Sequence, residues 1–125
     1  HIGDHVQIGG HAAVHQFVTI GRLAFIAANA MVSGDVPAYC LATGDRATLK
    51  GLNIIGLRRA NMSAKERLIL KKAYRQLSKR HNYTLESLSQ SLNLKEVPET
   101  FHLLYQGFQG SRRPCCKPHR SIGLL

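Results

Sequence analysis

Residues 2–37 read Ile2-Gly-Asp-His-Val-Gln7, Ile8-Gly-Gly-His-Ala-Ala13, Val14-His-Gln-Phe-Val-Thr19, Ile20-Gly-Arg-Leu-Ala-Phe25, Ile26-Ala-Ala-Asn-Ala-Met31 and Val32-Ser-Gly-Asp-Val-Pro37. An aliphatic side chain opens every block of six. Four positions later stand Val6, Ala12, Val18, Ala24, Ala30 and Val36, all small or β-branched. Directly after the aliphatic come Gly3, Gly9, His15, Gly21, Ala27 and Ser33. A period of six fits neither the 3.6 of a helix nor the simple alternation of a strand. It fits short strands that turn a corner after each block, three blocks making one triangular coil. The aliphatic points into the stack and the small residue sits where walls converge. Glycine after the aliphatic is expected to relieve backbone angles that a Cβ makes costly. No Asn-Gly or Asp-Gly pair breaks the run, which argues against a β-sandwich built from hairpins.

The expected fold class is a β-solenoid plus α: a parallel β-helix with about two coils present, then a C-terminal helical domain. The boundaries read as 1–45 for the hexapeptide part, 46–106 for the helices and 107–125 for a poorly packed or disordered tail. The chain opens on His1 in mid-repeat, so an internal or C-terminal piece with further coils upstream is expected. Two coils with a bare face are too few to stand alone, so missing coils, partner subunits or both are implied. No apolar run approaches the length of a membrane span.

Charge divides the chain more sharply than hydrophobicity. In residues 1–50, Arg22, Arg46 and Lys50 cancel Asp4, Asp35 and Asp45, so the whole formal charge of +10 falls on residues 51–125. A module of that sign attracts acidic partners: nucleic acid, an anionic membrane, nucleotide phosphates or an acidic protein. The cysteines are Cys40, Cys115 and Cys116. An odd count with one adjacent pair is no disulfide framework, so a reducing compartment is the default. Cys115-Cys116-x-x-His119 lacks zinc-site spacing, and no metal is expected.

Pro37 ends the hexapeptide run, because it cannot donate to a ladder. Cys40 to Asp45 reads as one last strand and a turn. Asn53 or its neighbours start a short helix carrying Arg58 and Arg59. Ser63-Ala-Lys-Glu66 is a capping box opening a helix to about Arg80, with Leu70, Ala73, Tyr74 and Leu77 as its apolar stripe. Thr84 caps a second helix to about Leu92, and Pro98 opens a third that reaches about Gln106.

Four segments in this order, after a hexapeptide run, carry a resemblance: Ala13-Val-His-Gln-Phe17, Asp35-Val-Pro-Ala-Tyr39, Gly44-Asp-Arg-Ala-Thr48 and Gly51-Leu-Asn-Ile-Ile-Gly-Leu-Arg-Arg59. Over about Ile2 to Leu104 the chain resembles the C-terminal half of the acyl-carrier-protein:UDP-N-acetylglucosamine O-acyltransferases, which perform the first step of lipid A biosynthesis. The resemblance implies a left-handed β-helix, a cytoplasmic homotrimer, clefts between subunits, and no cofactor. It implies acyl transfer in which a histidine base deprotonates the sugar 3-hydroxyl for attack on the acyl-carrier-protein thioester. The family's catalytic histidine lies upstream of His1, so none of the seven histidines here inherits that role. The isolated chain is therefore expected to be inactive.

The same resemblance implies site residues. His15 and Gln16 match positions lining the substrate site. Asn53 and Arg59 match residues that hold the nucleotide, by amide hydrogen bonds and by charge, with Arg58 assisting. Phe25 and Ala28 fall in the slot that measures acyl-chain length. Ile55 departs from the family, many of whose members carry an acidic residue there. Lys65, Arg67, Lys71, Lys72, Arg75, Lys79 and Arg80 are expected to steer the acidic acyl carrier protein. The competing readings are another hexapeptide acyltransferase, a non-catalytic basic module binding nucleic acid, and a truncated relic. Tyr74, Tyr83 and Phe101 lack the spacing of a stacking platform, so nucleic acid is not favoured.

Overall fold

The computed structural model describes residues 1–79, 83–109 and 116. Four two-residue strands, β1 (Gln7–Ile8), β2 (Ala13–Val14), β3 (Phe25–Ile26) and β4 (Met31–Val32), are separated by tight corners. β1 runs parallel to β3 with Gln7 opposite Phe25, and β2 parallel to β4 with Ala13 opposite Met31. A parallel bridge joins Ile2 to Ile20, and another joins Ile20 to Val36. In the first three pairings the partners stand 18 residues apart, so each six-residue block lies on the block three before it. Ile20, Ile26 and Val32 are buried together with Val18, Ala24 and Ala30, as their place in the repeat predicts. At the open end, Ile2 and Ile8 remain 53% and 44% exposed.

The glycines of the repeat do a different task from the one expected. Left-handed backbone falls instead on His5, His11, Phe17, Leu23 and Asn29, one corner residue every six, with φ between 57° and 67°. Gly3, Gly9 and Gly21 are small because the next layer of chain passes directly over them. A Cβ on Gly9 would stand 2.5 Å from the Ala28 nitrogen, and one on Gly3 2.7 Å from the Arg22 nitrogen. Close approach, not backbone freedom, selects glycine there.

The upper layer is shortened. β5 (Cys40–Thr43) stacks on β3 with Leu41 opposite Phe25, only 16 residues on, and Val36 pairs with Ile20 at the same reduced offset. Val36 thus occupies the leading inward position of its block. The Asp35 carboxylate closes the tightened corner by accepting the Thr19 N–H at 2.8 Å. β6 (Thr48–Leu52) then returns antiparallel to β5, where one strand and a turn were expected. Leu41 faces Gly51 and Ala42 faces Leu49, so Lys50 is the extra residue of a bulge.

Helices follow: α1 (Ile54–Arg59), α2 (Ala64–Lys79), α3 (Leu85–Ser91) and α4 (Glu99–Gln109). The expected stripe of α2 is buried, against Phe101, Leu104 and Phe108 of α4 in the same core. Each buried leucine or phenylalanine among them contributes about 1.5–3 kcal/mol of burial. Tyr74 and Phe108 meet edge to face with centroids 6.0 Å apart. The Ser63 hydroxyl accepts the Glu66 N–H at 3.1 Å, as a cap should. The Glu66 carboxylate does not reach back: it accepts the Thr100 hydroxyl at 2.8 Å and links α2 to α4. The reciprocal box occurs at α3, between Thr84 and Ser87.

α4 runs past the expected stop at Gln106, because Gly107 is a contact residue and no breaker here. Its missing Cβ would lie 2.7 Å from both Cα and Cβ of Pro37. The chain also returns at Cys116, whose N–H donates to the Asp35 carbonyl at 2.9 Å and whose thiol donates to the Gly34 carbonyl at 3.4 Å. The tail expected to be poorly packed from Gly107 onward is therefore packed at these positions. Its remainder, with Ser111 to Arg113, Cys115 and His119, lies outside the described residues, as does Arg80.

Candidate functional site

His15 and Gln16 lie between β2 and the left-handed corner at Phe17, and both are exposed. The His15 N–H donates to the Val32 carbonyl at 2.8 Å, which fixes the backbone while the ring stays outside the core. Its Nδ1 approaches the Gln16 carbonyl at 3.3 Å. On the neighbouring wall, Phe25 is half-buried in β3 and Ala28 is exposed at the following corner, directly above Gly9.

Asn53 was expected to offer its amide to a nucleotide. Only 8% exposed, it is already engaged at both ends of that amide. Its Nδ2 donates to the Leu23 carbonyl at 3.0 Å, and its Oδ1 accepts the Gly56 N–H at 3.1 Å, capping α1. Its own N–H donates to the Tyr39 carbonyl at 2.7 Å. α1 is thereby pinned to two left-handed corners, Leu23 and Tyr39, whose φ values are 57° and 69°. Sequence reasoning missed this tie. Its one readable sign was Gly56, a glycine three residues after an N-cap asparagine.

Arg58 and Arg59 occupy the last turn of α1, exposed, with no carboxylate in ion-pair range among the described residues. Two unneutralised guanidinium groups on an anchored helix form an anion-binding arrangement. Ile55, on the same helix, is 66% exposed. Lys65, Lys71, Lys72, Arg75 and Lys79 are exposed along α2. Arg67 is held back from that group: its guanidinium donates to the Met62 carbonyl at 2.8 Å. Tyr74 and Phe101 are buried in the helical core, so neither ring offers a face for stacking.

A cleft of about 1130 Å³ lies elsewhere, between the Ile2–Ile20–Val36 line and α4. Phe17, Arg22 and Gln106 line it, and none of His15, Gln16, Phe25, Ala28, Asn53, Arg58 or Arg59 does. Arg22 is paired there with Asp4 at 3.8 Å. The seven expected residues stand at three places in the fold: His15 and Gln16 after β2, Phe25 in β3 with Ala28 at the corner after it, and Asn53, Arg58 and Arg59 at α1. Tyr39 is buried where the layers meet the helices. Burial pushes its phenol above the usual tyrosine range, Arg22 opposes the shift, and Glu66 and Glu99 add to it. Among the described residues no three metal-binding side chains cluster, and no helix is long and apolar enough to cross a membrane.

Residues 35–116 match the family model of UDP N-acetylglucosamine O-acyltransferase, domain 2, and residues 1–34 match the bacterial transferase hexapeptide model. An acyl-[acyl-carrier-protein]–UDP-N-acetylglucosamine O-acyltransferase of Myxococcus xanthus is 45% identical over 88% of this chain and 43% of its own length. The structure of the UDP-N-acetylglucosamine O-acyltransferase of Moraxella catarrhalis superposes with a TM-score of 0.82 at 32% identity, over 94% of this chain and 46% of that one. For the Arabidopsis UDP-N-acetylglucosamine acyltransferase the TM-score is 0.80 at 36% identity, over 93% and 44%. The chain spans less than half the length of each of these relatives.

Proposed function

The chain belongs to the UDP N-acetylglucosamine O-acyltransferase family, and from that premise we propose that the protein carrying it transfers a 3-hydroxyacyl chain from acyl carrier protein to the 3-hydroxyl of UDP-N-acetylglucosamine, opening lipid A biosynthesis. Residues 1–45 are the last coils of a left-handed parallel β-helix, in keeping with the 18-residue parallel register. The helical domain, expected from residue 46, begins at α1 (Ile54), because Thr48–Leu52 is spent on strand β6, and it runs to the end of α4 at Gln109. The working unit is a cytoplasmic homotrimer, and clefts between its neighbouring subunits bring the site residues to the substrates.

In this reading a histidine outside the chain takes the proton of the sugar 3-hydroxyl. The freed oxygen attacks the thioester carbonyl carbon, backbone N–H groups stabilise the oxyanion, and the carbon–sulfur bond breaks as the histidine hands its proton to the departing sulfur, releasing acyl carrier protein as its thiol. The reaction needs no metal or cofactor. This chain binds and orients. Arg58 and Arg59 hold the nucleotide diphosphate from a helix seated by Asn53, His15 and Gln16 contact the sugar, and Phe25 with Ala28 bounds the acyl chain. The basic face of α2 draws in the acidic carrier protein.

The observation that supports this most is the pair of exposed, unneutralised arginines on a helix tied to the stacked layers. The test is thioester-dependent acylation of UDP-N-acetylglucosamine by the full-length protein. Turnover is expected, and a folded trimer without it removes the reading.

A further inference from the structure

α1 is six residues long, too short to hold a helix by its own hydrogen bonds, so the direction of Arg58 and Arg59 depends on what fixes its ends. The N-terminal end is fixed by one side chain. Asn53 bridges the Leu23 carbonyl, in the stacked layers, and the Gly56 N–H, in the helix, while its main chain hangs from the Tyr39 carbonyl. A Cβ on Gly56 would collide with the Asn53 amide nitrogen and stand 2.9 Å from its Cγ. The far end of the loop is held by Arg67 on the Met62 carbonyl.

We infer that Asn53 and Gly56 form a positioning pair for the arginine helix, acting on the nucleotide only through Arg58 and Arg59. The inference rests on the proposed nucleotide role of those arginines, and departs from the expectation that the Asn53 amide touches the nucleotide itself. Gly56 is a glycine because the bridging amide fills the space its side chain would take. Asn53 is 92% buried and spends one Nδ2 hydrogen and one Oδ1 lone pair inside the chain, so its amide serves the fold first.

The experiment is a mutant cycle in the full-length protein, reading kcat and the KM for each substrate. Asn53→Ala and Gly56→Ala are each expected to raise the KM for UDP-N-acetylglucosamine about tenfold, with the KM for the acyl carrier protein thioester unchanged. Placed on an Arg58→Ala/Arg59→Ala background, the same changes are expected to add less than about twofold, because the groups they position are gone. Asn53→Ser keeps the cap oxygen and gives the same comparison if either variant fails to fold. Multiplying effects on that background overturn the inference, since Asn53 then contacts the nucleotide on its own account. Arginine substitutions without effect on the nucleotide-sugar KM remove the nucleotide role, and the positioning pair with it.

Discussion

Gly21 lies so closely beneath Ala38 that a Cβ on it would overlap the Ala38 nitrogen and stand 2.6 Å from its Cα. The obstacle is backbone, which cannot swing aside, between two layers whose inward Ile20 and Val36 are both buried. Gly21→Ala is expected to destabilise the fold by about 1–3 kcal/mol, the usual penalty of overpacking. Gly10 has open space where its Cβ would be, so Gly10→Ala should change stability by less than about 0.5 kcal/mol. Denaturant midpoints of the two variants decide the matter, and equal losses would contradict the close-approach account.

The corner residues predict the opposite sign. His11 holds φ at 59° and is exposed, so it bears left-handed strain without returning any burial. Strain of about 1–2 kcal/mol is relieved by glycine, against about 0.5–1 kcal/mol of added chain entropy. His11→Gly should therefore raise the unfolding midpoint slightly, while Leu23→Gly, at a buried corner, should lower it. Calorimetry on both variants checks the pair.

What the sequence made legible follows from which forces leave a periodic mark. The inward Ile20, Ile26 and Val32 announce themselves because burial demands one aliphatic per wall, and the same holds at helical spacing for Leu70, Ala73 and Leu77. Close approach and left-handed corners call for different residues, and glycine can serve either, so Gly9 was read for the wrong reason and the corner at His11 was not read at all. The β5–β6 hairpin turns over Gly44 to Ala47 and carries a bulge at Lys50, with no two-residue turn signal to reveal it. The Asn53 bridge spans 30 residues to a main-chain carbonyl, which no side-chain pattern encodes. Arg58 and Arg59 enter the candidate site only through the family resemblance, since a solvated helix end looks the same in one dimension.

Stability should fall at high pH through Tyr39. Its phenol is buried, and burial raises its pKa above the ordinary value of 10.0. The folded protein therefore keeps the proton where the unfolded chain loses it, so the stabilisation is complete below the ordinary value and is lost as pH rises toward the shifted one. Tyr39→Phe is expected to flatten this alkaline limb. Unfolding midpoints across the alkaline range measure it, and an unchanged slope in the variant would assign the limb to other groups.

Reversing charge on α2 separates carrier docking from nucleotide binding. Lys71→Glu with Lys72→Glu alters two exposed cations of α2 and leaves Arg58 and Arg59 of α1 in place. kcat/KM for the acyl carrier protein thioester should drop about 10- to 100-fold at low salt and less at high salt, with the nucleotide-sugar KM unchanged. Equal loss for both substrates would place this face elsewhere than the carrier's approach.

Acyl length is the last quantity the geometry bears on. Ala28 stands at an exposed corner with its main chain pressed on Gly9, so the methyl group of Ala28 projects from a backbone that has no room to retreat. If the acyl chain lies between the layers here, that methyl limits its reach by roughly one methylene, and its removal should shift preference toward longer chains. One methylene in an apolar slot is worth about 1–3 kcal/mol of discrimination, enough to invert a preference between neighbouring lengths. Competition between thioesters of graded length, in the parent and in Ala28→Gly, reads this directly. A shift to longer chains is expected, whereas identical length profiles would move the slot away from Phe25 and Ala28. A loss of activity at every length would instead mean that the corner itself had been disturbed.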